Sequence, residues 1–183
     1  MKMKRVEFPI DELLVRPCRL LGEGMVLAAG NFATGRFNAM TIGWGSIGRV
    51  WGKPFVQVFV RPTRYTHEFM EEYDTFTVSA FPPDCRRALD LLGTKSGREL
   101  DKIAAAGLTP EPSLRVQAPS FAEAELVIEC RKIYFQDLNP ANFLADYITP
   151  HYDRDYHRVY FGEILAVSGL ESYRSTEPLA LKA

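Results

Sequence analysis

Residues 123–138, EAELVIECRKIYFQDL, restrict the possible folds more than any other part of the sequence. Their side chains alternate between apolar and polar, which is the period of a β-strand with one face toward a core. The predicted core face comprises Leu126, Ile128, Cys130 and Tyr134. The predicted solvent face comprises Glu125, Glu129 and Arg131. Because antiparallel sheets accommodate such one-sided strands, this segment predicts a mainly β fold.

Five further segments have strand character, namely residues 24–32, 37–44, 54–60, 75–81 and 157–170. Turn chemistry between the first two predicts a hairpin, and PFVQVFV at residues 54–60 is apolar on both faces, as in a central strand. The sequence therefore predicts six or seven strands, mostly antiparallel, in a closed or partly closed barrel that leaves few exposed edges. No linker or repeat interrupts the chain, so residues 1–183 are expected to form one domain.

Residue patterns typical of helix starts and ends lie between the predicted strands. Residues 66–73 predict a short helix with Thr66 as N-cap, and Asp84 is the predicted cap of a helix that ends at Gly93. In SGRELDKIAAAG, Ser96 and Glu99 match a capping box. Gly107 is the expected end of that helix. Residues 139–148 predict one or two helical turns, so two or three helices are expected beside the barrel.

Composition excludes several classes of function. A net charge of -1 and a pI near 6.3 argue against a nucleic-acid partner, because such binding depends on many Lys and Arg contacts to phosphates. No run of about 18 apolar residues exists, and the charged N-terminal sequence is unlike a signal peptide, so a cytoplasmic location without a membrane partner is expected. The cysteines, Cys18, Cys85 and Cys130, have no metal-type spacing and are expected to be buried thiols.

The segment FNAMTIGW combines a predicted strand with polar and aromatic side chains. In a strand over residues 37–44, period two places Asn38, Met40, Ile42 and Trp44 on one face. A buried asparagine amide requires hydrogen-bond partners, so Asn38 is a candidate binding residue. The alternative is a satisfied core asparagine or a turn residue at the start of the strand.

The segment RPTRYTHEF leads directly into the predicted helix. The first backbone N–H groups of a helix and the positive end of its dipole attract anions. Arg61 and Arg64 precede this helix and the Thr66 hydroxyl lies at its start, so the segment predicts a phosphate site. The alternative is an ordinary N-cap with solvated arginines.

Other motifs argue against several kinds of chemistry. GWGSIG lacks the strand–helix context of a dinucleotide fingerprint, and neither a phosphate loop nor a nucleophile elbow is present. The three histidines, His67, His151 and His157, have no metal spacing, so neither a metal nor a catalytic residue is predicted. Helical periodicity places Lys102 away from the core face, which predicts a surface lysine.

Five segments in one order resemble the flavin reductase-like, FMN-binding split-barrel family, and more closely its flavoredoxin-like branch. These segments are FNAMTIGWGS, KPFVQVFVRPTRYTHEFMEEYDTFTVSAF, SGRELDKIAAAGLTP, ELVIECRKIY and HRVYFGEIL. The resemblance implies a six-stranded antiparallel split barrel, a homodimer, and FMN bound at the edge of the barrel near the dimer interface.

The same resemblance implies roles for individual residues. Asn38, Thr41 and the backbone around Met40 would meet the flavin, and Trp44 would lie against its ring system. Arg64, Tyr65 and Thr66 would hold the phosphate. Lys102 matches an Asp-Lys position of the family and becomes a candidate contact to the phosphate or the flavin. The further flavin neighbours that it suggests are His151, His157 and Phe161.

Three functions are compatible with these observations. The first is a reductase that uses NADH or NADPH as electron donor and either keeps FMN bound or reduces free flavin. The second is an electron carrier that holds FMN permanently, exchanges electrons with a redox protein partner and has no nicotinamide site. The third is a barrel without a ligand that acts as a binding module. Family analogy favours the first function over the other two.

Overall fold

The computed structural model describes residues 2–175 of the chain, as ten strands, four α-helices and several single 3₁₀ turns. The strands are β1 (Val6–Phe8), β2 (Met25–Asn31), β3 (Arg36–Ile42), β4 (Gly45–Val50), β5 (Lys53–Val60), β6 (Thr75–Ala80), β7 (Pro110–Glu111), β8 (Ser120–Phe121), β9 (Leu126–Asp137) and β10 (Arg158–Gly169). The helices are α1 (Pro17–Glu23), α2 (Tyr65–Glu72), α3 (Arg86–Thr94) and α4 (Lys102–Ala105). The ends of the predicted domain, Met1 and residues 176–183, lie outside the described residues.

An antiparallel sheet organises the molecule, with strand order β3-β2-β6-β9-β10-β5-β4 and with β1 paired to β10. This arrangement confirms the predicted mainly β, antiparallel fold. The six central strands correspond to the predicted ones, whereas β4 was not predicted because two glycines interrupt its pattern. At Gly45 a Cβ atom would lie 2.4 Å from the Gln57 carbonyl oxygen, so the close approach of β4 to β5 requires a residue without a side chain.

The core has two parts, one on each face of β2. Leu27 packs in the barrel interior with residues such as Phe76 and Ile128. Val26 packs on the other face against α3, through residues such as Leu92. Both faces of β2 are therefore buried, and α3 is fixed against the sheet at the position where the functional site forms.

The predicted alternation along β9 is wrong at two positions. Glu129 is only 2% exposed, because its carboxylate accepts hydrogen bonds from the backbone N–H groups of Leu114 and Arg115 at 2.7 and 2.6 Å. Tyr134 is 42% exposed, although it was predicted to face the core. The pairing with β10 shifts register between Phe161 and Gly162, so the strand carries one additional residue and its alternation inverts.

The predicted N-caps of α2 and α3 are wrong. Arg64 occupies the N-cap of α2, and Thr66 lies inside its first turn. Asp84 lies in a 3₁₀ turn that precedes α3, whose N-cap is Cys85 and which continues past Gly93 to Thr94. These helices start from the loop geometry that leads into them rather than from a capping side chain.

The predicted capping box of Ser96 and Glu99 is also wrong. The side chain of Asp101 accepts a hydrogen bond from the Ala104 backbone N–H, so α4 begins only at Lys102. Gly107, with a φ of 68°, ends this helix as predicted. Within the predicted range 139–148, one helical turn is present, as a 3₁₀ turn at Pro140–Asn142, and a second 3₁₀ turn follows that range at Thr149–His151.

The cysteines occupy three different environments. Cys130 is buried and Cys85 is half-buried, but Cys18 is exposed on α1, so the prediction of buried thiols is wrong for Cys18. Burial raises the pKa of the Cys85 and Cys130 thiols. Among residues 2–175, no helix is long and apolar enough to cross a membrane.

Candidate functional site

Two adjoining cavities lie where β3 ends and α2 begins. The larger one, termed the aromatic cavity, has a volume of about 170 Å³ and is lined by Met40, Thr41, Ile42, Gly43, Trp44, Phe59, Arg61, Arg64 and His157. The smaller one, termed the cationic cavity, has a volume of about 80 Å³ and is lined by Met40, Thr63, Arg64, Tyr65, Thr66, Thr94, Lys95, Ser96 and Lys102. Met40 and Arg64 line both cavities, so the two form one continuous candidate site.

Lys102 is a buried cation in the cationic cavity. Only 4% of the residue is exposed, and its ammonium group donates to the carbonyl oxygens of Leu92 at 3.0 Å and Lys95 at 3.2 Å. Burial, together with the neighbouring Arg64 guanidinium, lowers the pKa of Lys102 to about 8. The expected surface position is therefore wrong, because α4 begins at Lys102 and turns its side chain beneath α3.

Arg64 stands at the start of α2. Its guanidinium donates to the Gly93 carbonyl oxygen at 2.9 Å, and no side chain among residues 2–175 caps the first backbone N–H groups of the helix. Tyr65 follows and is covered by the Arg98 guanidinium, 4.9 Å from the ring centroid. The start of α2 thus presents N–H groups without a side-chain cap, together with a cation, to the cavity, as an anion site requires.

The charges that line the two cavities are all positive. Arg61, Arg64, Lys95 and Lys102 line them, whereas no aspartate or glutamate of the described residues does so. Arg61 is partly neutralised, because it forms an ion pair with Asp155 at 2.8 Å just outside the aromatic cavity. The remaining positive charge favours an anionic ligand.

Aromatic side chains form the far wall of the aromatic cavity. Trp44 lies after the end of β3 rather than on the strand as predicted, and its ring is 4.8 Å from that of His157 and 6.5 Å from that of Phe59. His157 is buried, and its Nδ1 lies 3.0 Å from the Tyr152 hydroxyl. Burial and then the Arg61 charge lower the pKa of His157 to about 4, so this imidazole is neutral at physiological pH.

The structure brings most of the predicted site residues together. Met40, Thr41, Trp44, Arg64, Tyr65, Thr66 and Lys102 line the cavities. Asn38 lines neither cavity and instead donates from Nδ2 to the Thr66 hydroxyl at 2.9 Å. Thr41 donates its hydroxyl proton to the Leu89 carbonyl oxygen at 2.5 Å, so toward a ligand it can only accept a hydrogen bond.

The three additional residues suggested as flavin neighbours have different positions. His157 lines the aromatic cavity, and the ring of His151 lies behind Trp44 with 5.7 Å between centroids. Phe161 lies outside both cavities and stacks on Phe55 at 5.5 Å. Its neighbours in β10, Tyr160 and Gly162, are buried, so the alternation of that strand places Phe161 on an outer aromatic surface with Trp51 and Tyr134.

Sequence reasoning missed Phe59 and Ser96 as lining residues. Phe59 follows the period-two alternation of β5, in which Val58 and Val60 are buried and Phe59 points to the opposite face. That alternation was available in the sequence, but the apolar character of both faces hid it. Ser96 carries no such signal, because its position depends on how the loop after α3 folds back over α2.

A larger groove of about 730 Å³ lies elsewhere, between α1 and the N-terminal part of α3. Two of the three arginines that line this groove form ion pairs, Arg19 with Glu23 and Arg86 with Asp90. The cationic and aromatic cavities are therefore the better candidates for a specific anionic ligand, although they are smaller. Among the described residues, no cluster of His, Cys, Asp or Glu side chains could hold a metal ion.

Comparisons with known proteins place this geometry in context. A family model described as "Flavin reductase like domain" matches residues 19–182. An uncharacterized protein of Pyrococcus abyssi is 34% identical over 94 residues, which cover 51% of this chain and 52% of that protein. The match thus spans about half the length of that relative. An uncharacterized protein of Archaeoglobus fulgidus is 24% identical over 141 residues, which cover 77% of this chain and 70% of that protein.

Solved structures share the fold over most of the chain. The FMN-binding domain of a flavin reductases-like enzyme from Shewanella baltica has a TM-score of 0.67 at 17% identity, and the match covers 92% of this chain and 78% of that one. Flavoredoxin of Desulfovibrio vulgaris has a TM-score of 0.63 at 27% identity, covering 81% and 70%. Flavoredoxin from Methanosarcina acetivorans has a TM-score of 0.63 at 25% identity, covering 82% and 69%.

Proposed function

Because the chain belongs to the flavin reductase-like family, whose model matches residues 19–182, we propose that it is an FMN-dependent oxidoreductase that takes electrons from NADH or NADPH. The family membership confirms the resemblance that the ordered motifs indicated. The similar solved proteins include one described as FMN-binding and two flavoredoxins, which supports a flavin as the ligand.

The buried ammonium of Lys102 is the observation that carries this proposal. Burying a cation without a carboxylate partner costs free energy, and Lys102 has only carbonyl oxygens as hydrogen-bond partners in the described part of the chain. A phosphate monoester carries a charge of about -1.5 to -2 at pH 7 and would compensate Lys102 and Arg64 together. These residues therefore fit the phosphate of FMN. Neither cavity offers a second anion site of the kind that the pyrophosphate of FAD would need.

The chain's own residues would bind and orient the cofactor. Lys102, Arg64 and the first N–H groups of α2 would hold the phosphate. Trp44 and Met40 would contact the ring system, and the Thr41 hydroxyl oxygen would accept a hydrogen bond from the flavin edge. When bound, FMN supplies the hydride and electron chemistry, so no catalytic acid or base is required from the chain.

A second candidate function is electron transfer between proteins by a permanently bound FMN. The flavoredoxins at 27% and 25% identity favour this possibility. In that case a redox protein partner would exchange electrons with the bound FMN at the aromatic cavity, and no nicotinamide site would be needed.

The visible spectrum of the purified protein tests the shared part of both functions. Flavin absorbance is expected, and heat-denatured protein should release FMN; release of FAD instead would contradict the phosphate assignment. Stopped-flow mixing with NADH and with NADPH then separates the two functions. Rapid bleaching by either nucleotide supports the reductase, whereas bleaching only by a reduced protein supports the carrier.

A further inference from the structure

Asn38 lies directly behind the cationic cavity, beneath the first turn of α2. It is 4% exposed, and its Nδ2 donates to Oγ1 of Thr66 at 2.9 Å. Thr66 is 1% exposed and lines the cavity, as the second residue of α2. Asn38 can therefore act on a ligand in this cavity only through Thr66.

The hydrogen bond from Asn38 determines what the Thr66 hydroxyl can do. A threonine hydroxyl has one proton to donate and two lone pairs that accept. Since the Asn38 amide already donates to this oxygen, the Thr66 proton must point elsewhere. Among residues 2–175 the Thr66 hydroxyl donates to no carbonyl or carboxylate. Its proton is thus available to a ligand that accepts hydrogen bonds.

Gly97 holds Asn38 in this orientation from the loop that follows α3. A Cβ atom on Gly97 would lie 2.6 Å from Oδ1 of Asn38 and 2.9 Å from Cδ1 of Tyr65, both too close for a real contact. The backbone of Gly97 is not in the left-handed region, so its conformation does not call for glycine. Glycine is required here by space, because the loop packs directly onto the amide of Asn38.

We propose that Asn38 is a positioning residue that, held by Gly97, orients the Thr66 hydroxyl to donate to the phosphate of a flavin mononucleotide. This inference rests on the proposed function and specifies how the site selects a phosphorylated flavin. The cations attract any anion, whereas a fixed hydroxyl donor forms a hydrogen bond only with a ligand whose acceptor atom lies at one position. Asn38 thus contributes to phosphate recognition and does not contact the flavin ring.

Binding of FMN and of riboflavin to the apoprotein, measured by titration calorimetry, separates this role from a purely structural one. Asn38→Ala and Thr66→Val are each expected to weaken FMN binding by about tenfold to a hundredfold, because a hydrogen bond to a charged group is lost. Riboflavin has no phosphate, so its affinity should stay unchanged. The double variant should lose no more than either single variant, since both changes remove the same hydrogen bond.

Three further variants keep the test decisive. Thr66→Ser retains the hydroxyl and should bind FMN nearly as well as the wild type. Asn38→Asp keeps the shape of Asn38, but its carboxylate would accept the Thr66 proton, so FMN binding should fall even if Asn38→Ala does not fold. Thr77→Val is the matched control, because it removes a buried hydroxyl that donates to the Pro119 carbonyl oxygen away from the cavity. Thr77→Val should change neither the affinity for FMN nor the affinity for riboflavin.

Several outcomes would overturn the inference. Equal losses of FMN and riboflavin affinity would mean that Asn38 only supports the fold. Additive effects in the double variant would mean that Asn38 does not act through the Thr66 hydroxyl. Unchanged FMN binding in Thr66→Val would mean that this hydroxyl does not donate to the phosphate. A wild-type protein that binds neither flavin would contradict the proposed function itself, and with it this inference.

Discussion

The ammonium nitrogen of Lys102 lies 3.0 Å from the carbonyl oxygen of Leu92, near the C-terminal end of α3. Arg64 donates to the carbonyl oxygen of the next residue, Gly93, at 2.9 Å. Both cations of the candidate phosphate site are thus held by the same helix end, whose carbonyls carry the negative end of the helix dipole. This arrangement compensates part of their charge while leaving them free to bind an anion.

Lys102→Met is expected to weaken FMN binding by about 1.5–3 kcal/mol, roughly tenfold to a hundredfold, because a charge-assisted contact is lost. The unfolding temperature of the apoprotein should not fall, since an apolar side chain costs nothing to bury. Titration with FMN and thermal unfolding check both statements.

Lys132→Met is the matched control for Lys102→Met. Lys132 is half-buried rather than buried, but burial lowers its pKa as well, and it donates to the Met70 carbonyl oxygen of α2, away from the cavities. Lys95 is unsuitable as a control because it lines the cationic cavity itself. Similar losses of FMN affinity in both variants would remove Lys102 from the phosphate site.

FMN affinity is expected to decrease as the pH rises above about 8, the lowered pKa of Lys102. Only the protonated lysine attracts the phosphate, so one proton limits the decrease to about tenfold per pH unit. The free energy of unfolding of the apoprotein should rise between pH 8 and 10.5. In that range the unfolded chain still holds the Lys102 proton, whereas the folded protein has lost it. FMN titrations of the wild type and of Lys102→Met across this pH range test the assignment. The same dependence of FMN affinity on pH in both proteins would contradict it.

Tryptophan fluorescence offers a direct report on the aromatic cavity. Trp44 lines the cavity, whereas Trp51 lies on the outer surface and is 67% exposed. Flavin binding should quench Trp44, so Trp51→Phe should retain the quenching and Trp44→Phe should lose most of it. Quenching that disappears only in Trp51→Phe would place the flavin on the outer surface.

Gly162→Ala is expected to destabilise the fold by about 1–3 kcal/mol through overpacking. Its new Cβ would lie 2.4 Å from Cζ of Phe76 and 2.8 Å from Cβ of Cys130, both in the barrel core. Gly22→Ala is the control, because nothing lies within 4 Å of its Cβ position. Chemical denaturation measures both variants, and an equal free energy of unfolding for the two would be inconsistent with the tight packing at Gly162.

The homodimer implied by the family resemblance stays a prediction. Trp51, Tyr134 and Phe161 form an exposed aromatic surface, with ring centroids 5.9 Å apart for Trp51 and Tyr134 and 5.5 Å apart for Tyr134 and Phe161. Monomers seldom expose such patches, so light scattering should give twice the chain mass of 20.7 kDa. Tyr134→Lys should favour the monomer if a second copy covers this surface. A monomeric wild type with bound FMN would contradict the expectation.

Local pattern accounts for the parts of the fold that could be predicted. Period-two alternation and turn residues located β2, β3, β5, β6, β9 and β10, because those signals depend only on neighbours along the chain. The predicted N-cap of α4 was wrong because it depends on more than neighbouring residues. Both Ser96 and Asp101 could cap a helix, and the path of the loop places Asp101 at its start.

Local pattern and the order of the motifs were enough to predict the antiparallel strands, the family, and a cluster of candidate residues around Arg64 and Trp44. Which of these residues reach the site depends on how the elements pack in three dimensions. Lys102 was predicted at the surface because helical periodicity describes a helix alone, whereas the end of the preceding helix α3 and the loop after it cover this lysine. Asn38 was expected in the site but lies behind it, because Gly97 and Thr66 approach it from distant segments. Burial and hydrogen bonding at such positions depend on how separate elements pack against one another, and the local pattern of a single element does not encode that packing.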